Sequence, residues 1–208
     1  NIGTQLVGGF AIYYFSYAIG KPELFPMFAL VSGIAEMLGI FLFPWLCRHL
    51  PRRFTWYIAS LFALACSVVL LAGSIVAPKS GVLVAGAGAL LKFGGGIANG
   101  LGTVMLADVV DYGHYKTGKR SESIIFSVQT MLVKFAGAFA GFFIGVGLSL
   151  IGYVPNEIQS EATVFGLRTL MIGLPVVFLI GSIWVYRQTF RLHGELHQRV
   201  SDFIAKQR

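Results

Sequence analysis

Residues 107–137 read ADVVDYGHYKTGKRSESIIFSVQTMLVKFAG. The first half carries Asp108, Asp111, Lys116, Lys119, Arg120 and Glu122 among turn formers, as a water-facing connection does. A few residues later Lys134 stands alone among Met, Leu, Val and Phe. So abrupt a change of solvent is what a chain shows where it leaves water and enters a lipid bilayer.

Composition supports this. Of 208 residues 56% are hydrophobic and only 12% charged, with mean hydropathy +0.75; a soluble domain averages roughly 25% charged. The fold class expected is an all-α membrane protein in contact with the lipid bilayer. The formal charge of +7 then reports topology rather than nucleic-acid binding, because cations gather in cytoplasmic loops.

Outward from the opening stretch, apolar runs of membrane-crossing length recur near 3–19, 24–47, 54–77, 81–107, 122–151 and 164–186,. They predict six transmembrane helices bundled over 1–186, with 187–208 as a cytoplasmic tail. Eleven Lys and Arg fall in one set of connections: Arg48, Arg52 and Arg53; Lys116, Lys119 and Arg120; and five in the tail. The opposite side holds Lys21, Lys79 and Arg168. The bias puts both termini of this chain in the cytoplasm. Cys47 and Cys66 lie at different expected depths, so no disulfide is expected. The opening NIGTQLVGGF has neither an initiating Met nor a basic leader, and reads as a chain entered partway.

Three charges fall deep inside spans: Glu36, Lys92 and Lys134. Each lies roughly 17 Å into a core about 30 Å thick, where a charge costs at least about 2.5 kcal/mol. Glu36 and Lys92, opposite in sign and matched in depth, are expected to form an intramembrane ion pair. That leaves Lys134 without an acid at its level. It is either neutral, or paired outside this chain with a missing segment, a substrate or another subunit. Ser123, Ser127, Thr130 and Lys134 follow i, i+4, i+7, i+11 with Gln129 adjoining, a stripe suited to a polyhydroxylated or anionic solute. Gly137, Gly141 and Gly145 continue at spacing four, a face for close helix packing or for sliding.

Asp108 and Asp111 are expected at the C-terminal end of span four, where the helix dipole disfavours anions. Their cationic neighbours make either a solvated cluster or a cytoplasmic latch that forms in one conformation and breaks in another. No catalytic or metal constellation emerges: His49, His114, His193 and His197 lie in loop or tail, and His193 and His197 lack the glutamate of HExxH,. No enzyme, metal or cofactor is expected.

ADVVDYGHYKTGKRSE followed by FSVQTMLVK resembles the signature of the glycoside-pentoside-hexuronide:cation symporters, within the major facilitator superfamily. FAIYYFSYAIG, SVQTMLVK, IGYVPN and MIGLPVVF are similar to its melibiose-carrier branch. The resemblance implies the C-terminal half of a twelve-helix transporter, built from 3+3 inverted repeats. It further implies a bacterial inner-membrane symporter for a sugar or glycoside. Its coupling cation, Na+ or H+, would bind mainly on an N-terminal six-helix half, which would also supply the partner of Lys134. By position, Lys134, Thr130, Gln129, Val133 and Asn99 would be substrate-binding, and Asp108, Asp111 and Arg120 would form a cytoplasmic gate. The chain departs from the pattern at Asn99, where a tryptophan would stack on the sugar, at His114 in place of Glu, and at Glu36 and Lys92 in place of uncharged amides. A stand-alone six-helix channel or scaffold that oligomerises is the alternative.

Overall fold

The computed structural model describes residues 1–76, 80–119, 121–189 and 203. Every element among them is helical: α1 (Ile2–Tyr13) running into a π-helical stretch (Tyr14–Ile19), α2 (Leu24–His49), α3 (Arg52–Val76), α4 (Gly81–Thr117), α5 (Glu122–Leu150) and α6 (Glu161–Thr189). Helices α2 to α6 are long and apolar enough to cross a membrane by length and composition.

Local chemistry sets the ends. Gly20 closes the π-helical stretch in the left-handed region (φ 75°), a conformation open to a residue without Cβ. Pro51 keeps Leu50 extended (ψ 145°), which separates α2 from α3. The Ser80 side chain caps α4 by accepting from the Leu83 N–H at 3.4 Å,.

Helix α4 runs past the expected boundary. The apolar run ends at 107, but the helix continues to Thr117 and stops only at left-handed Gly118. Nothing between Asp108 and Thr117 breaks a helix, so the loop expected over 108–122 contracts to residues 118–121. Arg168, counted with the cations of the opposite side, lies within α6, about two turns from its start,. Arg120, and the tail apart from Phe203 and residues 187–189, fall outside the described residues.

The packing is crosswise. Helix α1 packs on α5 and α6, and α4 packs on α2 and α3: the first helix of each group of three rests on the second and third of the other, as inverted repeats require. These first helices are the most enclosed. Leu6, Val7, Phe10 and Ala11 on α1, with Tyr14 and Phe15 in its π-helical continuation, are at most 1% exposed. Half of the most apolar window of α4 is buried, against 17% for α2.

The seam between α2 and α4 is backbone on backbone. A Cβ on Gly39 would collide with the Phe93 carbonyl, and one on Gly96 with the Glu36 carbonyl. The glycine-rich stretch of α4 is thus spent on this crossing. By contrast, Gly137, Gly141 and Gly145 on α5 meet nothing within 4 Å, so the close packing expected there is not made within this chain.

Aromatic side chains mark both ends of the bundle, as at a membrane–water interface. Tyr13 and Tyr17 meet Tyr153 edge to face at 5.4 and 5.2 Å, and Trp56 stacks on Tyr186 at 5.0 Å. Burial, then the neighbouring Tyr17 hydroxyl, pushes the Tyr153 phenol up to about 12, so it remains a hydrogen-bond donor at neutral pH.

Candidate functional site

The site is built on α4 and α5, which diverge enough to leave a cavity of about 650 Å³ between them, closed at the side by Trp56 of α3. Asn99 and Thr103 face it from α4, and Val128, Gln129, Leu132 and Val133 from α5. A second cavity of about 420 Å³ shares the Trp56, Ala98, Asn99 and Leu132 walls and reaches between α1, α3 and α6. Of the residues expected to bind substrate, Asn99, Gln129 and Val133 therefore line one space.

Thr130 and Lys134 do not line it. Positions 124, 128 and 132 turn toward α4, so at about 100° per residue the stripe of Ser123, Ser127, Thr130 and Lys134 lies on the far side of α5. All four are exposed. The Thr130 hydroxyl donates to the Phe126 carbonyl at 3.0 Å, within its own helix,. Lys134 has no ion pair among the described residues. The open glycines Gly137, Gly141 and Gly145 extend this face at the same spacing. The seam thus leaves α5 outward, with Gln129 and Val133 at its border with the cavity.

Beside the cavity, Glu36 of α2 bridges two groups of α4. Lys92 Nζ lies 3.3 Å from its Oε2, and Asn99 Nδ2 donates to its Oε1 at 3.2 Å. The side chains of Lys92 and Glu36 are 19% and 27% exposed, shielded enough that each charge requires the other.

At the end of the bundle assigned to the cytoplasm, Arg52 Nη1 on α3 is ion-paired to Asp108 Oδ2 on α4. Asp108 is the more enclosed partner, 12% exposed against 37% for the arginine. Arg53 instead lies over the Tyr57 ring, 5.9 Å from its centroid,. Farther along α4, His114 and Tyr115 meet Phe203 edge to face at 5.8 and 5.2 Å.

Two residues of the site were not expected. Trp56 could be read only as an interfacial aromatic, yet it walls both cavities, and its Nε1 is buried without a partner among the described residues. Thr103, one turn after Asn99, donates to the Asn99 carbonyl at 3.1 Å; its spacing from Asn99 was the available signal. Among the described residues no group of His, Cys, Asp and Glu is placed to hold a metal, and both cysteines are free thiols.

The model of the MFS/sugar transport protein family matches residues 2–193, and the chain belongs to that family. It is 31% identical, over 93% of its length, to a protein of Salmonella typhimurium provisionally named a 2,3-dihydroxypropane-1-sulfonate exporter. It is 30% identical over 85% of its length to the isoprimeverose transporter of Lactiplantibacillus pentosus. To the raffinose carrier protein of Pediococcus pentosaceus it is 26% identical over 96% of its length. The chain spans 41%, 36% and 31% of these three relatives' own lengths. The chain is therefore an integral membrane protein of a family whose members are transporters rather than enzymes.

Proposed function

We propose that this chain is the C-terminal six-helix half of a cation-coupled sugar or glycoside symporter working by alternating access. Na+ or H+ would bind chiefly on a second, N-terminal half. The observation that carries the proposal is the outward face of α5. Lys134 stands there unpaired among the described residues, on a seam of Ser, Thr and open glycines bordering a mostly apolar cavity that carries Asn99, Thr103 and Gln129. An ammonium at mid-bilayer depth requires a counter-charge or water, and a smooth small-residue seam lets a facing helix approach closely. A second six-helix bundle carrying carboxylates meets both requirements and closes the cavity into a site between two halves.

The names of the relatives support a sugar or sugar-derived solute, and one of them points to a sulfonate. In a carrier of anionic solutes, the solute's own charge would answer Lys134 in place of a protein carboxylate. An oligomer of this chain alone is a poorer fit, because twofold pairing along the seam would bring two Lys134 ammoniums onto one interface. In this reading Arg52–Asp108, with Asp111 and Arg120, is the gate at the cytoplasmic end, and the carrier sits in a bacterial inner membrane with both ends of this chain inside.

The test is uptake into membrane vesicles by the full-length carrier. Lys134→Ala is expected to abolish accumulation while leaving the amount of inserted protein unchanged, and normal accumulation by that variant sinks the proposal.

A further inference from the structure

The Glu36–Lys92 pair has a third member, and the third member is on the cavity wall. Lys92, Gly96 and Asn99 are spaced i, i+4, i+7, on one face of α4. Gly96 is the point where that face meets the Glu36 backbone with no room for a side chain. The crossing therefore seats Glu36 directly over the gap between Lys92 and Asn99, and its two oxygens are divided between them at 3.3 and 3.2 Å. A charge pair alone needs only Lys92.

The added contact fixes the orientation of an amide. An ionised carboxylate can only accept hydrogen bonds, so Asn99 must turn its NH2 toward Glu36. One of the two N–H groups is thereby taken by Glu36, and Oδ1 is turned away from that carboxylate,. An amide free to rotate would exchange its donor and acceptor ends; this one holds its acceptor in one direction beside the cavity that Asn99 lines. The indole of Trp56 walls the same cavity, its N–H buried and unpartnered among the described residues.

We propose, resting on the sugar-transporter reading above, that Glu36 is a positioning residue for substrate specificity. It holds Asn99 with its Oδ1 directed to one hydroxyl of a neutral sugar in the cavity, while Lys92 engages the other oxygen of Glu36. Glu36 touches no substrate itself. Its effect is read in which hydroxyls the carrier requires, a property that a pair serving only to hold α2 on α4 would not influence.

The experiment measures uptake by the full-length carrier of radiolabelled galactose, glucose and xylose, and of their singly deoxygenated derivatives. In the wild-type carrier, removing the hydroxyl that Asn99 receives raises KM about tenfold or more, because it leaves a desolvated acceptor unpaired. The double variant Glu36→Gln/Lys92→Gln carries no net charge change, but the glutamine amide it places on α2 can meet either end of the Asn99 amide. There the ratio is expected to collapse to within about twofold. If that variant inserts without transporting, equilibrium binding of the same sugars reads the ratio. If it fails to insert, Asn99→Leu, which keeps the ion pair, is expected to lose the ratio instead. A ratio retained in the variant read out, or a wild-type carrier indifferent to every deoxygenation, overturns the proposal while leaving the sugar-transporter reading standing. Failure of the wild type to take up any of the sugars overturns both.

Discussion

Arg52, in the first turn of α3, holds Asp108 of α4 across the end of the bundle assigned to the cytoplasm. The pair ties α4, the longest of the helices that line the cavity, to α3, which walls it with Trp56. A bond there resists any motion that parts α3 from α4 at that end.

Partly exposed pairs of this kind contribute about 1 kcal/mol, which shifts a two-state equilibrium roughly fivefold. Asp108→Asn is therefore expected to change the balance between the two facings of the carrier by about that factor. Labelling of single cysteines from either side of the membrane reads the balance. Exchange of the charges, Arg52→Asp with Asp108→Arg, is expected to restore it in part, and an exchange no better than the single variant would count against a direct pair.

Glu36 and Lys92 are expected to be coupled in stability. Lys92→Ala leaves a shielded carboxylate unpaired and should cost about 3 kcal/mol. Adding Glu36→Ala should recover most of that loss. Thermal unfolding of the purified protein in detergent gives the cycle, and additive losses would show that the two charges do not depend on each other.

The two glycine seams should respond oppositely. Gly96→Ala drives a methyl into the Glu36 carbonyl and is expected to destabilise the bundle by about 1–3 kcal/mol. Gly141→Ala meets open space and should leave the stability of this chain within about 0.5 kcal/mol. In the full-length carrier the same Gly141→Ala should slow transport if a second half closes on that seam. Unfolding of the chain and uptake by the carrier, measured on the same pair of variants, separate the two effects.

Arg168 offers a further test. Its Nε is buried without a hydrogen-bond partner among the described residues, and the guanidinium lies close to the Tyr14 hydroxyl. Arg168→Met keeps the length and removes the buried, unpartnered Nε, so it is expected to raise the melting temperature rather than lower it,. A lowered melting temperature would mean that the guanidinium is stabilised by lipid or water in place.

Charge and depth made Glu36 and Lys92 legible as a pair, because a bilayer tolerates so few ionised groups that opposite ones at one level have little choice of partner. Lys134 was legible as a misfit for the same reason. Its direction was not, since helical spacing shows which residues share a face and not which neighbour that face meets. The end of α4 was missed because the residues that leave a membrane are often still helical: Asp108 and Lys116 report water, whereas only Gly118 reports the end of the helix. Trp56 escaped because an interfacial tryptophan and a cavity wall look alike until the other walls are present.

Helix α4 is unbroken by proline from Ser80 to Gly118, roughly 55 Å of hydrogen-bonded rod. Asn99 and Asp108 are two stations on that rod, about 13 Å apart. Leverage applied at Asp108 reaches Asn99 without passing through a joint, and α4 pivots where Gly96 bears on α2. A sugar gripped at one station would thus be felt as torque at the other, so closing the door and holding the cargo become a single mechanical act.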